Sequence, residues 1–79
     1  MPLVRTVRPD GGGIRARRIR LGLTPSQFAA KIGRHRQTIQ QIESGRIEAA
    51  SEVLISQIAL ALGVEPAEII KRNGNGAAA

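Results

Sequence analysis

Four residues able to read another molecule through paired hydrogen bonds fall close together in this chain: Arg36, Gln37, Gln40 and Gln41. Arg presents a planar fork of donors that matches guanine O6 and N7. Gln offers a donor and an acceptor that match adenine N6 and N7. Their spacing decides whether they can act together. With Arg36 set at zero on a wheel of about 100° per residue, Gln40, Ser44, Gln37 and Gln41 fall at about 40°, 80°, 100° and 140°. Ile42 and Ile39 fall at about 240° and 300°, so residues 36–44 predict a helix with one apolar edge and one continuous polar face. No acidic residue lies on that face. A helix of this kind is about the right width for a major groove. An ordinary solvated helix face also carries Gln and Arg, so the element before it has to separate the two readings.

That element is sharply marked. Thr24 is a good N-cap, Pro25 suits the first helical position, and Gln27 completes a T-x-x-Q capping box. Leu23 and Phe28 have hydrophobic-staple spacing, Ala29 and Ile32 continue the apolar face, and Gly33 ends the helix. A capped helix, a three-residue turn and the polar-faced helix make a helix-turn-helix arrangement, with Ala29 and Ala30 as the small residues where the helices cross.

Around this pair the chain predicts three more helices and no strand. The first covers about 14–21, with Ile14, Arg18 and Leu21 on one face. The fourth covers about 51–62 and carries the stripe Leu54, Ile55, Ile58, Ala59 and Leu62, stopped by Gly63. The fifth is short, about 66–72, opened by Pro66, with Ile69 and Ile70 facing inward. Residues 1–13 hold two Pro, three consecutive Gly and two Arg, and read as a flexible basic arm. Residues 73–79, NGNGAAA, read as a disordered tail. The fold class is therefore all-α, one five-helix domain over 14–72.

Composition narrows the function. Of the 79 residues, 10 basic and 2 acidic fall in 1–46, giving +8, against 2 basic and 4 acidic in 47–79, giving −2. A one-ended field attracts polyanions. Ten of the twelve basic residues are Arg, the type suited to bidentate contacts with phosphate and guanine. One Phe and no Tyr or Trp argue against single-strand binding through stacking platforms. With no Cys and one His, neither a disulfide nor a metal site is expected, and no cofactor is implied. No nucleophile has a base beside it, so an enzyme is not expected. The chain has neither a membrane-length apolar run nor a signal-peptide core, and a cytoplasmic protein is expected.

The stretch IRARRIRLGLTPSQFAAKIGRHRQTIQQIESGR resembles the helix-turn-helix domain of lambdoid phage repressors and Cro proteins, within the wider Xre-type regulators. The pattern L-[ST]-x-x-x-[LF]-A-x-x-[IV]-G-x-x-x-x-[TS]-I-x-x-[IL]-E-x-G runs from Leu23 to Gly45 without a gap, and ISQIALALGVEPAEII looks like that family's fourth and fifth helices. The resemblance implies a lambda-repressor-like fold. It implies base reading by Arg36, Gln37 and Gln41, with Gln40 alongside. It places backbone contacts at Ser26, Gln27 and Arg46, with Arg15, Arg34 and Ser44 as further candidates. It also implies a partly buried ion pair between Arg18 and Glu43. The wheel agrees, putting Glu43 at about 340°, away from the reading face. His35 stands where the family has Ser or Thr, and can cap the helix, touch phosphate or a base edge, or simply sit exposed in the turn.

Two departures suggest a weaker grip on the DNA backbone. Pro25 stands where the family often has Gln, and the loop RIEAAS is nearly neutral where the family is Lys-rich. Arg5 and Arg8 on the arm are possible substitutes by reaching along a groove, although a disordered tail is the plainer reading. The expected function is a sequence-specific regulator of transcription, a repressor that binds double-stranded DNA as a homodimer. The alternative is an antitoxin-type interaction module that also binds DNA and has a toxin partner. Its acidic residues Glu48, Glu52, Glu65 and Glu68 would face the toxin.

Overall fold

The computed structural model describes residues 5–71. Four α-helices, a 3-10 turn and a two-stranded antiparallel pair follow one another: β1 (Thr6–Val7), α1 (Gly11–Arg20), α2 (Pro25–Lys31), α3 (Arg36–Ser44), β2 (Ala50–Ser51), α4 (Glu52–Leu62) and the 3-10 turn Pro66–Ile69.

Local chemistry sets most boundaries. In α2 the Gln27 backbone N–H donates to Thr24 Oγ1 at 3.1 Å, and the Thr24 N–H donates to Gln27 Oε1 at 2.8 Å. This is the reciprocal capping box. The Arg34 N–H returns to the Ala29 carbonyl at 2.9 Å and closes the C-terminal end. Ser51 caps α4 by accepting from the Leu54 N–H at 3.1 Å. Gly45 ends α3 at φ 85°, a left-handed conformation that costs a residue with a Cβ roughly 1–2 kcal/mol.

The helices enclose one core. Ile14 of α1, Phe28 of α2, Ile39 and Ile42 of α3, Ile55 and Ile58 of α4 and Ile69 of the 3-10 turn are fully buried. Phe28 is the sole aromatic residue in the sequence. Val7, Leu23, Ile32, Ile47, Val64 and Ile70 pack partly buried at the core's edge.

Several expectations need correction. The expected fifth helix is a 3-10 turn of four residues. Ile70 leaves it in an extended conformation and bridges to Pro9, which removes it from a helical path. Among the described residues the fold is thus four α-helices with a 3-10 turn, not five helices. A short strand pair exists where none was expected, with Thr6 opposite Ser51 and Val7 opposite Ala50. Residues 5–13 are not a free arm. The Glu52 N–H donates to the Arg5 carbonyl at 2.9 Å, the Lys71 N–H to the Arg8 carbonyl at 2.8 Å, and the Asp10 N–H to the Ile69 carbonyl at 2.8 Å. Asp10 then N-caps α1, accepting from the Gly13 N–H at 3.2 Å, so the helix begins at Gly11 rather than Ile14. Leu21, placed by periodicity beside Ile14 and Arg18, is 52 % exposed because α1 stops at Arg20. Of the two small residues expected at the helix crossing, Ala29 is buried in the core, while Ala30 is exposed. The expected tail, 73–79, lies outside the described residues.

Candidate nucleic-acid interface

Two helices present the site. The α2–turn–α3 unit packs through Phe28, Ala29, Ile39 and Ile42, all buried, and this turns the opposite side of α3 outward. Arg36, Gln37, Gln40 and Ser44 are exposed, and Gln41 is half-buried. Gln37, Gln40, Gln41, Ser44 and Arg46 line one shallow open groove.

Arg46 reaches that groove because the chain folds back on itself. The Gln41 carbonyl accepts from the Arg46 N–H at 3.0 Å, the Ile47 N–H at 3.3 Å and the Ser44 hydroxyl at 3.2 Å. The loop after α3 is thereby fastened to α3, and Ser44 spends its proton inside the helix end. Among the described residues neither Arg36 nor Arg46 forms an ion pair; the three pairs present are Arg5–Glu52, Arg17–Glu68 and Arg18–Glu43.

Glu43 is the one acid of α3, and it points inward. Arg18 Nε donates to its Oε2 at 2.7 Å and Arg18 Nη2 to its Oε1 at 2.9 Å. Arg18 Nη1 donates to the Leu23 carbonyl at 2.6 Å. The hydrogen bond to Glu43 raises the Arg18 pKa above its ordinary value; burial opposes this and Coulomb attraction to Glu43 adds to it. With Glu43 turned into this pair, the outer face of α3 carries no acidic side chain.

The remaining candidates are more scattered. His35 occupies the N-cap position of α3 without a side-chain capping bond and is exposed. Ser26 and Gln27 are exposed in the first turn of α2, but the Gln27 side-chain oxygen is committed to the Thr24 cap. Arg15 is exposed on α1. Arg34 donates through Nε and Nη2 to Gln57 Oε1 at 3.4 and 3.2 Å, which draws it toward α4. Gln57 carried no signal in the sequence; it is half-buried on α4 and is brought to Arg34 by tertiary packing.

The helix-turn-helix family profile matches residues 14–69. The chain belongs to the helix-turn-helix family. Solved structures agree. The restriction-modification controller protein C.AhdI from Aeromonas hydrophila is 33% identical, with 73% of this chain and 83% of that chain covered and a TM-score of 0.68. The clp gene regulator ClgR from C. glutamicum is 28% identical over 73% of each chain, also with a TM-score of 0.68. The hypothetical transcription factor NHTF from Neisseria, 20% identical over 96% of this chain and 95% of that one, shares the fold at a TM-score of 0.68. A search of curated proteins gave no match. This helix-turn-helix domain is a DNA-binding module related to transcriptional regulator and controller proteins, a broader kinship than the expected one to lambdoid repressors and Cro. Among the described residues no group of three or more His, Cys, Asp or Glu side chains could hold a metal ion. Among the described residues no helix is long and apolar enough to cross a membrane.

Proposed function

We propose that this chain is a sequence-specific regulator of transcription that inserts α3 into the major groove of double-stranded DNA. The observation that carries the reading is the outer face of α3, where Arg36, Gln37, Gln40 and Gln41 stand together while the helix's only acid is turned into a buried pair. Base edges are read by bidentate side chains, and those four residues take that role. In this reading Arg46, Ser26, Gln27, Arg15 and His35 meet phosphates on either side, and Ser44 joins them only by releasing the Gln41 carbonyl. Arg34 joins them by exchanging an exposed bond to Gln57 for a phosphate. C.AhdI is named a restriction-modification controller protein and ClgR a clp gene regulator, which supports a regulatory role.

In this reading the protein acts as a homodimer on two half-sites about one helical turn apart, and represses by occluding a promoter. The test is fluorescence anisotropy at one near-physiological salt. It compares DNA upstream of the protein's own gene, or a duplex selected from a random pool, with a scrambled duplex. A preference of about a thousandfold supports the specific regulator. Equal affinities for every selected and scrambled duplex would sink it. The antitoxin-type alternative is distinguished by a basic partner that co-purifies and releases DNA.

A further inference from the structure

A helix that opens Gly-Gly-Gly starts badly, since each Gly is roughly 1 kcal/mol less favourable than Ala within a helix. The three positions of α1 answer differently to an added methyl group. At Gly12 a Cβ would meet nothing nearer than Asp10 Oδ1 at 4.0 Å. At Gly13 it would crowd the capping carboxylate, 2.5 Å from Asp10 Oδ2. At Gly11, which is buried, it would run into the Ile42 carbonyl oxygen and lie 2.8 Å from that of Glu43. Those two oxygens belong to the backbone of α3's last turn and have no rotamer by which to move away.

The first turn of α1 therefore lies directly against the last turn of α3. Its own position is fixed from outside: the Asp10 N–H is bound to the Ile69 carbonyl at 2.8 Å, and the Arg8 carbonyl accepts from the Lys71 N–H at 2.8 Å. Seven residues further along α1, two helical turns, Arg18 grips the Glu43 carboxylate. Glu43 is thus held by its backbone at Gly11 and by its side chain at Arg18. Two supports along one helix define the angle of the other.

We propose that Gly11 is a positioning residue for base recognition: it sets the height and tilt of α3 in the groove by admitting no Cβ between α1 and α3. The inference rests on α3 being the reading helix. Bidentate bonds to base edges weaken steeply with misalignment, whereas attraction to phosphates falls off gently with distance. A displaced α3 should lose discrimination and keep nonspecific affinity.

The test compares wild type, Gly11→Ala and Gly12→Ala on a selected duplex and on its scrambled form. Gly11→Ala is expected to lose about tenfold or more on the selected duplex, the worth of one good base contact, and nothing on the scrambled one. Gly12→Ala should follow wild type on both. A folded Gly11→Ala protein with the wild-type ratio of affinities overturns the proposal, since mere loss of stability lowers Tm without touching that ratio. Amide resonances of residues 40–45 give a readout free of DNA: Gly11→Ala should shift them and Gly12→Ala should not, and equal spectra again overturn it. Should Gly11→Ala fail to fold, Asp10→Ala loosens the same turn without adding an atom. It must shift those resonances and lower the ratio, or the proposal falls. Wild type without preference for any duplex would defeat the base-reading function instead, while the amide shifts still judge the seat.

Discussion

Arg18 and Glu43 meet between α1 and α3 with 7% of each side chain exposed and two hydrogen bonds of 2.7 and 2.9 Å. Taking two charges out of water is costly, and such a pair is weak evidence for net stability. Its effect here is geometric. It joins the helix before the helix-turn-helix unit to the helix that faces outward, and it hides the carboxylate that would repel DNA.

Breaking one half should therefore hurt more than removing both. Glu43→Ala leaves the Arg18 guanidinium buried and unpaired, with an expected loss of about 3–5 kcal/mol in urea denaturation. Replacing the pair with Met at 18 and Leu at 43 should recover much of that loss. A Glu43→Ala protein that unfolds at the wild-type urea midpoint would count against the pair.

Base reading by α3 predicts sequence-dependent losses. Arg36→Ala or Gln41→Ala should cost about 1–3 kcal/mol at the selected site and relax preference at one base position. The measurement is anisotropy on the selected and scrambled duplexes. Equal losses on both would remove that residue from the reading face.

Arg46 should behave in the opposite way. It is fastened beside Gln41 by its own backbone N–H at 3.0 Å and forms no ion pair among the described residues. Arg46→Ala should weaken both duplexes alike and reduce the slope of log affinity against log salt by about one. An unchanged slope would exclude a phosphate contact.

Gly45 offers a test of the fold alone. A Cβ there meets nothing within 4 Å, so Gly45→Ala carries only the strain of φ 85°, a loss of roughly 1–2 kcal/mol. A thermal melt indistinguishable from wild type would show that the turn relaxes.

Short-range signals made α2, α3 and α4 legible in the sequence. Thr24, Pro25 and Gln27 spell a helix start within four residues, and the Ile39–Ile42 edge fixes which side of α3 turns outward. The Arg18–Glu43 partnership came from family resemblance, with the wheel agreeing only that Glu43 turns away from the face that bears Arg36 and the three Gln. What stayed hidden was non-local. Asp10 is a good N-cap type, but the three glycines after it favour a loop, and the turn becomes helical where residues 5–10 bond to Ser51, Glu52 and the 69–71 segment. The bond from Arg34 to Gln57 and the 3-10 geometry before Ile70 also depend on partners far away in the chain. Pro66 correctly marked a helical start; nothing local announced that Ile70 would turn aside to meet Pro9.

The bond between Arg8 and Lys71 has a kinetic consequence. It closes a ring through almost the whole described chain, and loop-closure entropy makes such a contact late to form and early to open. Hydrogen exchange should find the amides of Asp10 and Lys71 opening well before that of Ile58, at the centre of α4. If it does, the protein breathes at the joint between residues 8–10 and 69–71, and the backbone under α3 loosens each time that joint opens.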